Sequence, residues 1–224
     1  MVMGNILLAL IVSIVSFSFF PDEVAARRLQ VQLRNYTSGQ GMQNPMVAVG
    51  PSVAVFSVGA RAPVSLDKLA EGGECWEVAN LLAQRGAATV CNNMIVYGQA
   101  YIADLQIPSG DLFLTMLVKI APTNSGFGAI QSLKIPGSVV PGVWHGASFN
   151  AFDAGGEYKD EKCVHLNAPA ACGGFSGQGY SGIPEPKQGN KVQYHPGLHG
   201  NGDLDPAVNN FVSPIGAVYY QVVN

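Results

Sequence analysis

Hydrophobic and polar residues alternate strictly near the start of the chain, with Leu29, Val31 and Leu33 interleaved by Gln30, Gln32 and Arg34. A period of two puts each set on one face of an extended segment, so a half-buried β-strand is expected there. Tyr36 to Pro45 follows as a loop rich in Gly, Ser, Asn and Gln. Met46 to Val58 is apolar but interrupted at Gly50-Pro51, which implies two short strands or one kinked strand. The period then changes. Ser65 to Ala70 suits one or two helical turns, with Ser65 as N-cap and Glu71-Gly72-Gly73 as the stop. Trp76 to Gln84 sets Val78, Leu81 and Leu82 at helical spacing, and Gly86 ends the segment.

From Met94 the strand pattern resumes. Tyr101, Ala103, Leu105 and Ile107 share a face, while Asp104 and Gln106 point the other way. Pro108-Ser109-Gly110-Asp111 turns the chain into Leu112, Leu114, Met116, Val118 and Ile120, a run whose second face carries Phe113 and Leu117. The two runs are expected to pair as a central hairpin buried on most of both faces. Further strands are expected over Ala147 to Phe152, near Lys191 to His195 and over Ile215 to Val223, with a Gly-rich stretch from Gly173 to Gly189. Strands separated by turns, without alternating helices, imply an all-β antiparallel sandwich with a short helical insertion over 65–85 rather than a parallel α/β sheet. Neither an internal repeat nor a domain linker interrupts the pattern, so 27–224 reads as one domain.

Composition narrows the picture. The chain of 224 residues is 48% hydrophobic and only 12% charged, so its surface must be dressed with Ser, Asn, Gln, Thr and Gly. The 27 glycines and 14 prolines point to many turns. A formal charge of -3 without a basic stripe gives no electrostatic basis for binding nucleic acid. At the N-terminus, Ile6 to Phe20 is an uncharged, largely apolar run, and Val24-Ala25-Ala26 offers the small residues that a signal peptidase reads. Residues 1–26 are therefore expected to be a signal peptide cleaved after Ala26. The competing reading is an uncleaved anchor. It is disfavoured because the run is shorter than the roughly 18 to 20 residues that span a bilayer, although Met1 to Asn5 lack the usual Lys or Arg.

Export brings the chain into an oxidising compartment, where its four cysteines read as two disulfides. Three connectivities are open; the sequence-local pairs Cys75 with Cys91 and Cys163 with Cys172 are the favoured ones. A four-cysteine zinc site would need closely spaced pairs, which the sequence lacks. Asn35-Tyr36-Thr37 is a glycosylation sequon for a eukaryotic secretory pathway.

Few residues carry recognisable chemistry. Asp153-Ala-Gly-Gly-Glu157 places two carboxylates four residues apart around a flexible turn, a donor pattern that suits a hard cation such as calcium; two solvated turn acids are the plainer reading. Asn201-Gly-Asp203-Leu-Asp205 begins like an EF-hand loop, but Val212 occupies the twelfth position where Glu is required, so an EF-hand is excluded. His195-Pro-Gly-Leu-His199, with His145 and His165, supplies enough imidazoles for a copper or zinc site, although Pro196 and Gly197 prevent a regular helix from presenting both rings. No Gly-x-Ser-x-Gly, phosphate-cradling glycine loop or His-Glu-x-x-His motif occurs, so nothing positive argues for an enzyme.

The order of several short motifs is nonetheless specific. Val53-Ala-Val-Phe-Ser-Val-Gly59 comes first, then Leu69-Ala-Glu-Gly-Gly73. Leu114-Thr-Met-Leu-Val118 leads into Pro122-Thr-Asn-Ser-Gly-Phe127. Ala151-Phe-Asp-Ala-Gly-Gly-Glu157, Tyr194-His-Pro-Gly-Leu-His-Gly-Asn-Gly-Asp-Leu-Asp205 and Ser213-Pro-Ile-Gly-Ala217 complete the set. From about Leu29 to Val223 the chain resembles the spondin N-terminal domain, in its stand-alone secreted form. That resemblance implies a C2-like antiparallel sandwich of about eight strands, one calcium at a loop end, and a role in matrix or cell-surface attachment. The family's calcium motif falls on Asp153 and Glu157. Where the family has a further Asp this chain has Ser125, and a fourth ligand from the preceding strand would be Asp104 or Gln106. With one or two carboxylates fewer, calcium would be held more weakly.

Together these readings lead to the expectation of a secreted binding or adhesion module, not an enzyme, that holds calcium through Asp153, Glu157, Asp104 and Ser125. Its expected partners are extracellular matrix, a glycan or a cell-surface protein, and the weakly charged surface is compatible with self-assembly. Two readings from other classes stand beside it. One is a secreted copper or zinc oxidoreductase using His145, His165, His195 and His199. The other is a carbohydrate-binding module stacking sugars on Trp76, Trp144, Tyr180 or Tyr194.

Overall fold

The computed structural model describes residues 27–179 and 189–223; the expected signal segment and Tyr180 lie outside the described residues. The chain forms β1 (Arg27–Asn35), β2 (Gly41–Gly50), α1 (Val64–Gly72), α2 (Trp76–Ala83), β3 (Ala88–Cys91), β4 (Ile95–Val96) and β5 (Gln99–Ile107). It continues through β6 (Leu112–Ala121), β7 (Gly126–Ile135), β8 (His145–Asp153), β9 (Gln193–Tyr194), α3 (Pro206–Asn209) and β10 (Gly216–Val223). All strand pairings are antiparallel, in the order β3-β2-β6-β7-β8-β10-β1-β5, with β4 on β2 and β9 on β8. The fold is all-β, as the alternating pattern implies, and a β-sandwich.

The two sheets of the sandwich are joined by one shared strand. The first half of β8, from His145 to Phe149, pairs with β10; its second half, from Asn150 to Asp153, pairs with β7. Between the sheets, Leu29, Val31 and Leu33 of β1 and Val218 and Val222 of β10 meet Val47, Leu114, Met116 and Val118. Period-two geometry turns the other face of β2 and β6 outward, where Met46, Ala48 and Leu117 would be exposed. Instead α1 and α2 cover them with Leu66, Leu69, Val78 and Leu82, forming a second core with Phe127 and Phe152. Three layers result. This accounts for β6 being buried along nearly its whole length on both faces.

Both α1 and α2 stand where the spacing places them, and α1 is closed by Gly73 in the left-handed conformation (φ 77°), but its N-cap is Pro63 rather than the expected Ser65, which lies inside the first turn. Cys75 is joined to Cys91 and Cys163 to Cys172, the sequence-local pairing. The first bridge ties the start of α2 to β3, and the second closes a loop after a 3-10 turn at Cys163–His165.

Four expectations about strands are corrected. The run containing Tyr101 and the run containing Leu112 do not form a hairpin: β5 pairs with β1, whereas β6 pairs with β2 and β7. Their burial explains the separation, since β5 has one exposed face and lies at the end of the sheet order, while β6 has two covered faces and lies inside it. The expected loop over Tyr36 to Pro45 is shorter, because β2 already begins at Gly41, and no strand follows the break at Gly50-Pro51. Ten strands are present among the described residues instead of about eight, the short β3, β4 and β9 among them. None of the described helices is long and apolar enough to cross a membrane.

Candidate functional site

One end of the helix-covered sheet gathers an unusual concentration of charge. Asp153 ends β8 and has 0% exposure; Glu157, four residues on, has 3%. The turn between them depends on Gly155, whose φ of 76° favours glycine and whose N–H donates to Asp153 Oδ1 at 2.6 Å. Ser125, immediately before β7, donates its hydroxyl to the same oxygen at 3.0 Å. Three residues expected to act together, Asp153, Glu157 and Ser125, thus lie at one buried loop end.

Other residues complete the cluster. Asp67 and Glu71 stand four apart on α1, hence on one face of it. That face packs over the loop so closely that a Cβ on Gly156 would come within 2.5 Å of Glu71 Oε1 and 3.4 Å of Asp67 Oδ1. Lys119, on the helix-covered face of β6, is 1% exposed and donates to the carbonyls of Ala70 at 2.8 Å and Thr123 at 3.2 Å. Lys159 reaches back to Asp153 Oδ2 at 2.9 Å, and His195 Nε2 lies 3.9 Å from the same oxygen.

Their electrostatics follow from burial. Loss of water pushes the Glu71 carboxyl up to about 7, with repulsion from Glu157 and Asp67 adding to it and Lys119 opposing it. Asp67 is raised to about 6, again by burial first, with Arg61 opposing and Asp153 reinforcing the rise. Lys119 is lowered to about 8 by burial, against the attraction of Glu157 and Glu71. His195 is lowered to about 4 by burial, partly offset by Asp153, with Lys159 and His199 lowering it further.

Carboxylate oxygens are the donors that calcium takes, roughly 6 to 8 of them at about 2.3 to 2.6 Å. The chemistry of the set therefore suits calcium, but its arrangement does not. Asp153 Oδ1 already accepts two hydrogen bonds and Oδ2 faces an ammonium group. A second ammonium, that of Lys119, faces Glu71 and Glu157. Among the described residues, no three His, Cys, Asp or Glu side chains are grouped so as to hold a metal ion.

The remaining candidate ligands are not brought together. Asp104 lies on β5, three strands from β8 in the sheet order, and pairs with Arg28 Nε at 3.1 Å. Hydrogen bonding to Arg28 holds its carboxyl below the usual range. Asp104 is thus corrected from a partner of Asp153 to an outer-face ion pair, because β5 pairs with β1 instead of neighbouring the loop. The histidines also diverge. His145 stacks on Tyr220 at the far end of β8, roughly 25 Å from Asp153 at about 3.3 Å per strand residue. His165 Nδ1 bonds Asp160 at 2.6 Å, and only His195 and His199 are near one another. A four-histidine copper or zinc centre has no basis in this geometry.

Asn35 is corrected as well. It is 8% exposed, and its side-chain nitrogen donates to Gln40 O at 2.7 Å and Val96 O at 2.9 Å while its oxygen accepts from Thr37. A glycan on that nitrogen would replace a donor hydrogen and require space that the turn fills. Of the expected stacking residues, Trp76 and Tyr194 are 63% and 60% exposed and Trp144 39%, on separate elements; Tyr194 also stacks on Phe152 at 5.0 Å.

A cleft of ≈ 370 Å³ opens beside the start of β2 and β4. Ile95, Tyr97 and Val208 line it and are at least half exposed, and Ala168 to Ala171 of the disulfide-closed loop form the facing wall. Asp203 and Asp205 also line it, and among the described residues no Lys, Arg or His does. The walls are fixed from behind. Glu161 accepts from the backbone of His199 and Asn201 at 2.6 and 2.9 Å, Asp203 accepts from Cys163 N at 2.9 Å, and Asp205 caps α3 through Ala207 N.

Sequence reasoning missed Asp67, Glu71, Lys119 and Lys159. Two signals were present: an acidic i, i+4 pair on a short helix, and one lysine inside the apolar run of β6. Lys159 carries no such signal. No protein-family model matches the chain, and no curated protein matches it.

Proposed function

We propose that the protein is an exported extracellular binding module that engages a matrix or cell-surface protein through the cleft between β4 and the Cys163–Cys172 loop. The supporting observation is the cleft itself, of ≈ 370 Å³, within the size range of ligand sites. Three large apolar side chains, Ile95, Tyr97 and Val208, stay exposed around it despite the cost of wetting them. Aspartates in the lining, with no base among its described residues, select a neutral or cationic ligand. A peptide segment with one apolar and one basic side chain matches this lining. A chain with no catalytic motif, two disulfides and a sandwich architecture supports a binding role, as does the ordered set of motifs that resembles the spondin N-terminal domain. Calcium is no part of this proposal, because lysine ammonium groups already face the acids that would hold it.

The exposed ring of Tyr97 supports one second reading, a carbohydrate-binding module with a neutral sugar stacked on that ring. Purified protein tested on arrays of matrix proteins and of neutral and sulfated glycans separates the two. Saturable binding to matrix protein, weakened at least tenfold by Tyr97→Ala or Ile95→Ser, is the expected result. Binding confined to neutral glycans selects the second reading, and binding unaffected by both substitutions rejects the cleft.

A further inference from the structure

We infer that Lys159 and Lys119 supply internally the positive charge for the buried carboxylates at the end of β8, so that this loop end is held together without a metal ion. Asp153 and Glu157, buried, and Asp67 and Glu71, half-buried, converge there from a loop and a helix, and such a grouping is unstable away from water unless cations or protons neutralise it. Beside Arg61, which faces Asp67, the protein provides two lysines. Lys159 belongs to the same loop as Asp153, and its Nζ closes that loop at 2.9 Å from Oδ2, with its own side chain only 17% exposed. Lys119 comes from the floor of the site. Its ammonium binds the carbonyl of Ala70, near the C-terminal end of α1 where helix carbonyls lack intrahelical partners, and the carbonyl of Thr123 in the turn before β7. Between them the lysines connect β6, α1, the turn before β7 and the loop after β8, the elements that a bound ion would otherwise bridge.

The same geometry opposes a metal. A divalent ion at Asp153 would have to displace an ammonium and a hydroxyl hydrogen bond, and one shared with Glu157 or Glu71 would also face Lys119, in surroundings where charge repulsion is weakly screened. The inference does not depend on the cleft or on its ligand, which occupies other residues.

Calcium titration and thermal unfolding of the purified full-length chain, disulfides intact, test it directly. Wild-type protein is expected to give no saturable calcium binding by calorimetry and the same Tm in EDTA as in millimolar calcium. Lys159→Met is expected to lower the Tm by several degrees and to make it rise on adding calcium, because the ammonium beside Asp153 Oδ2 is then gone. Lys159→Arg, which keeps the charge, should remain insensitive to calcium. Should Lys159→Met fail to fold, the double substitution Asp153→Asn/Lys159→Met removes both charges and is expected to fold. Saturable calcium binding by the wild type, a Tm that falls in EDTA, a Lys159→Met variant identical to wild type, or a double variant that also fails to fold would each overturn the inference.

Discussion

Lys119 shows how strongly a single side chain depends on its surroundings here. It is the one charge within the apolar run of β6: burial lowers its ammonium to about 8, Glu157 and Glu71 oppose that fall, and two carbonyls accept its hydrogens. Removing one partner of a buried ionic group costs more than the pair contributes, since the other is left unneutralised. Lys119→Met should therefore destabilise the fold by about 3 kcal/mol, and adding Glu71→Gln should recover part of the loss; urea unfolding of the two variants checks both. Glu71 has its own pH signature. Its folded value of about 7 lies above the ordinary 4.5, so the folded protein binds this proton more tightly than the unfolded chain does. The resulting stabilisation is complete below 4.5 and is lost as pH rises through about 7. His195 works in the opposite sense: with a folded value near 4 against 6.5, it removes stability as pH falls between those values. Glu71→Gln should be more stable than wild type above pH 7 and differ little below pH 4.5. Urea unfolding midpoints that shift in parallel across that range would refute the assignment. The Asp153 and Glu157 pair could be picked out from spacing; Lys119 stood out as the one charge of an apolar run, but that it and Lys159 meet these acids could not be read, because they approach from β6 and from the far side of a turn.

Among the elements, those with a clean period were legible and those whose identity depends on a neighbour were not. β1 alternates because one of its faces meets the core, and α1 and α2 show helical spacing because each has one buried stripe. β7 escaped recognition: Gly126, Gly128, Gln131 and Ser132 interrupt its apolar residues, and Ser132 takes a φ of 56° at an irregularity in its pairing with β6. The supposed hairpin of β5 and β6 failed for a related reason. A turn sequence allows a hairpin, but each strand joins the sheet that buries its particular faces. Two predictions belong at this scale. Gly155→Ala places a Cβ on a left-handed residue and should cost about 1 to 2 kcal/mol, read by thermal unfolding. Replacing Cys75 and Cys91 by Ala opens a loop of separation 16 and should cost about 3 kcal/mol. The equivalent change at Cys163 and Cys172 should weaken ligand binding in the cleft, whose wall that loop forms, and calorimetry with an array-identified ligand measures it.

For the molecule as a whole, the decisive feature is that β8 belongs to both sheets. It fixes where the sandwich turns from one layer into the other, and its end carries Asp153 into the space under α1. The helices convert the outer face of one sheet into a second core, and the disulfide-closed loop builds the cleft on the molecule's surface. Sequence by itself determined the all-β class, the helices α1 and α2 and the turn that sets two acids four residues apart, and it favoured the pairing of nearby cysteines without deciding it. These follow from local periodicity, chirality and loop length, which act over a few residues. Tertiary structure alone decided which strands are neighbours, that Asp104 faces Arg28 and the histidines diverge, and that two lysines meet Asp153, Glu71 and Glu157. Those outcomes depend on which faces are removed from water together, and burial is a property of the assembled layers rather than of any segment.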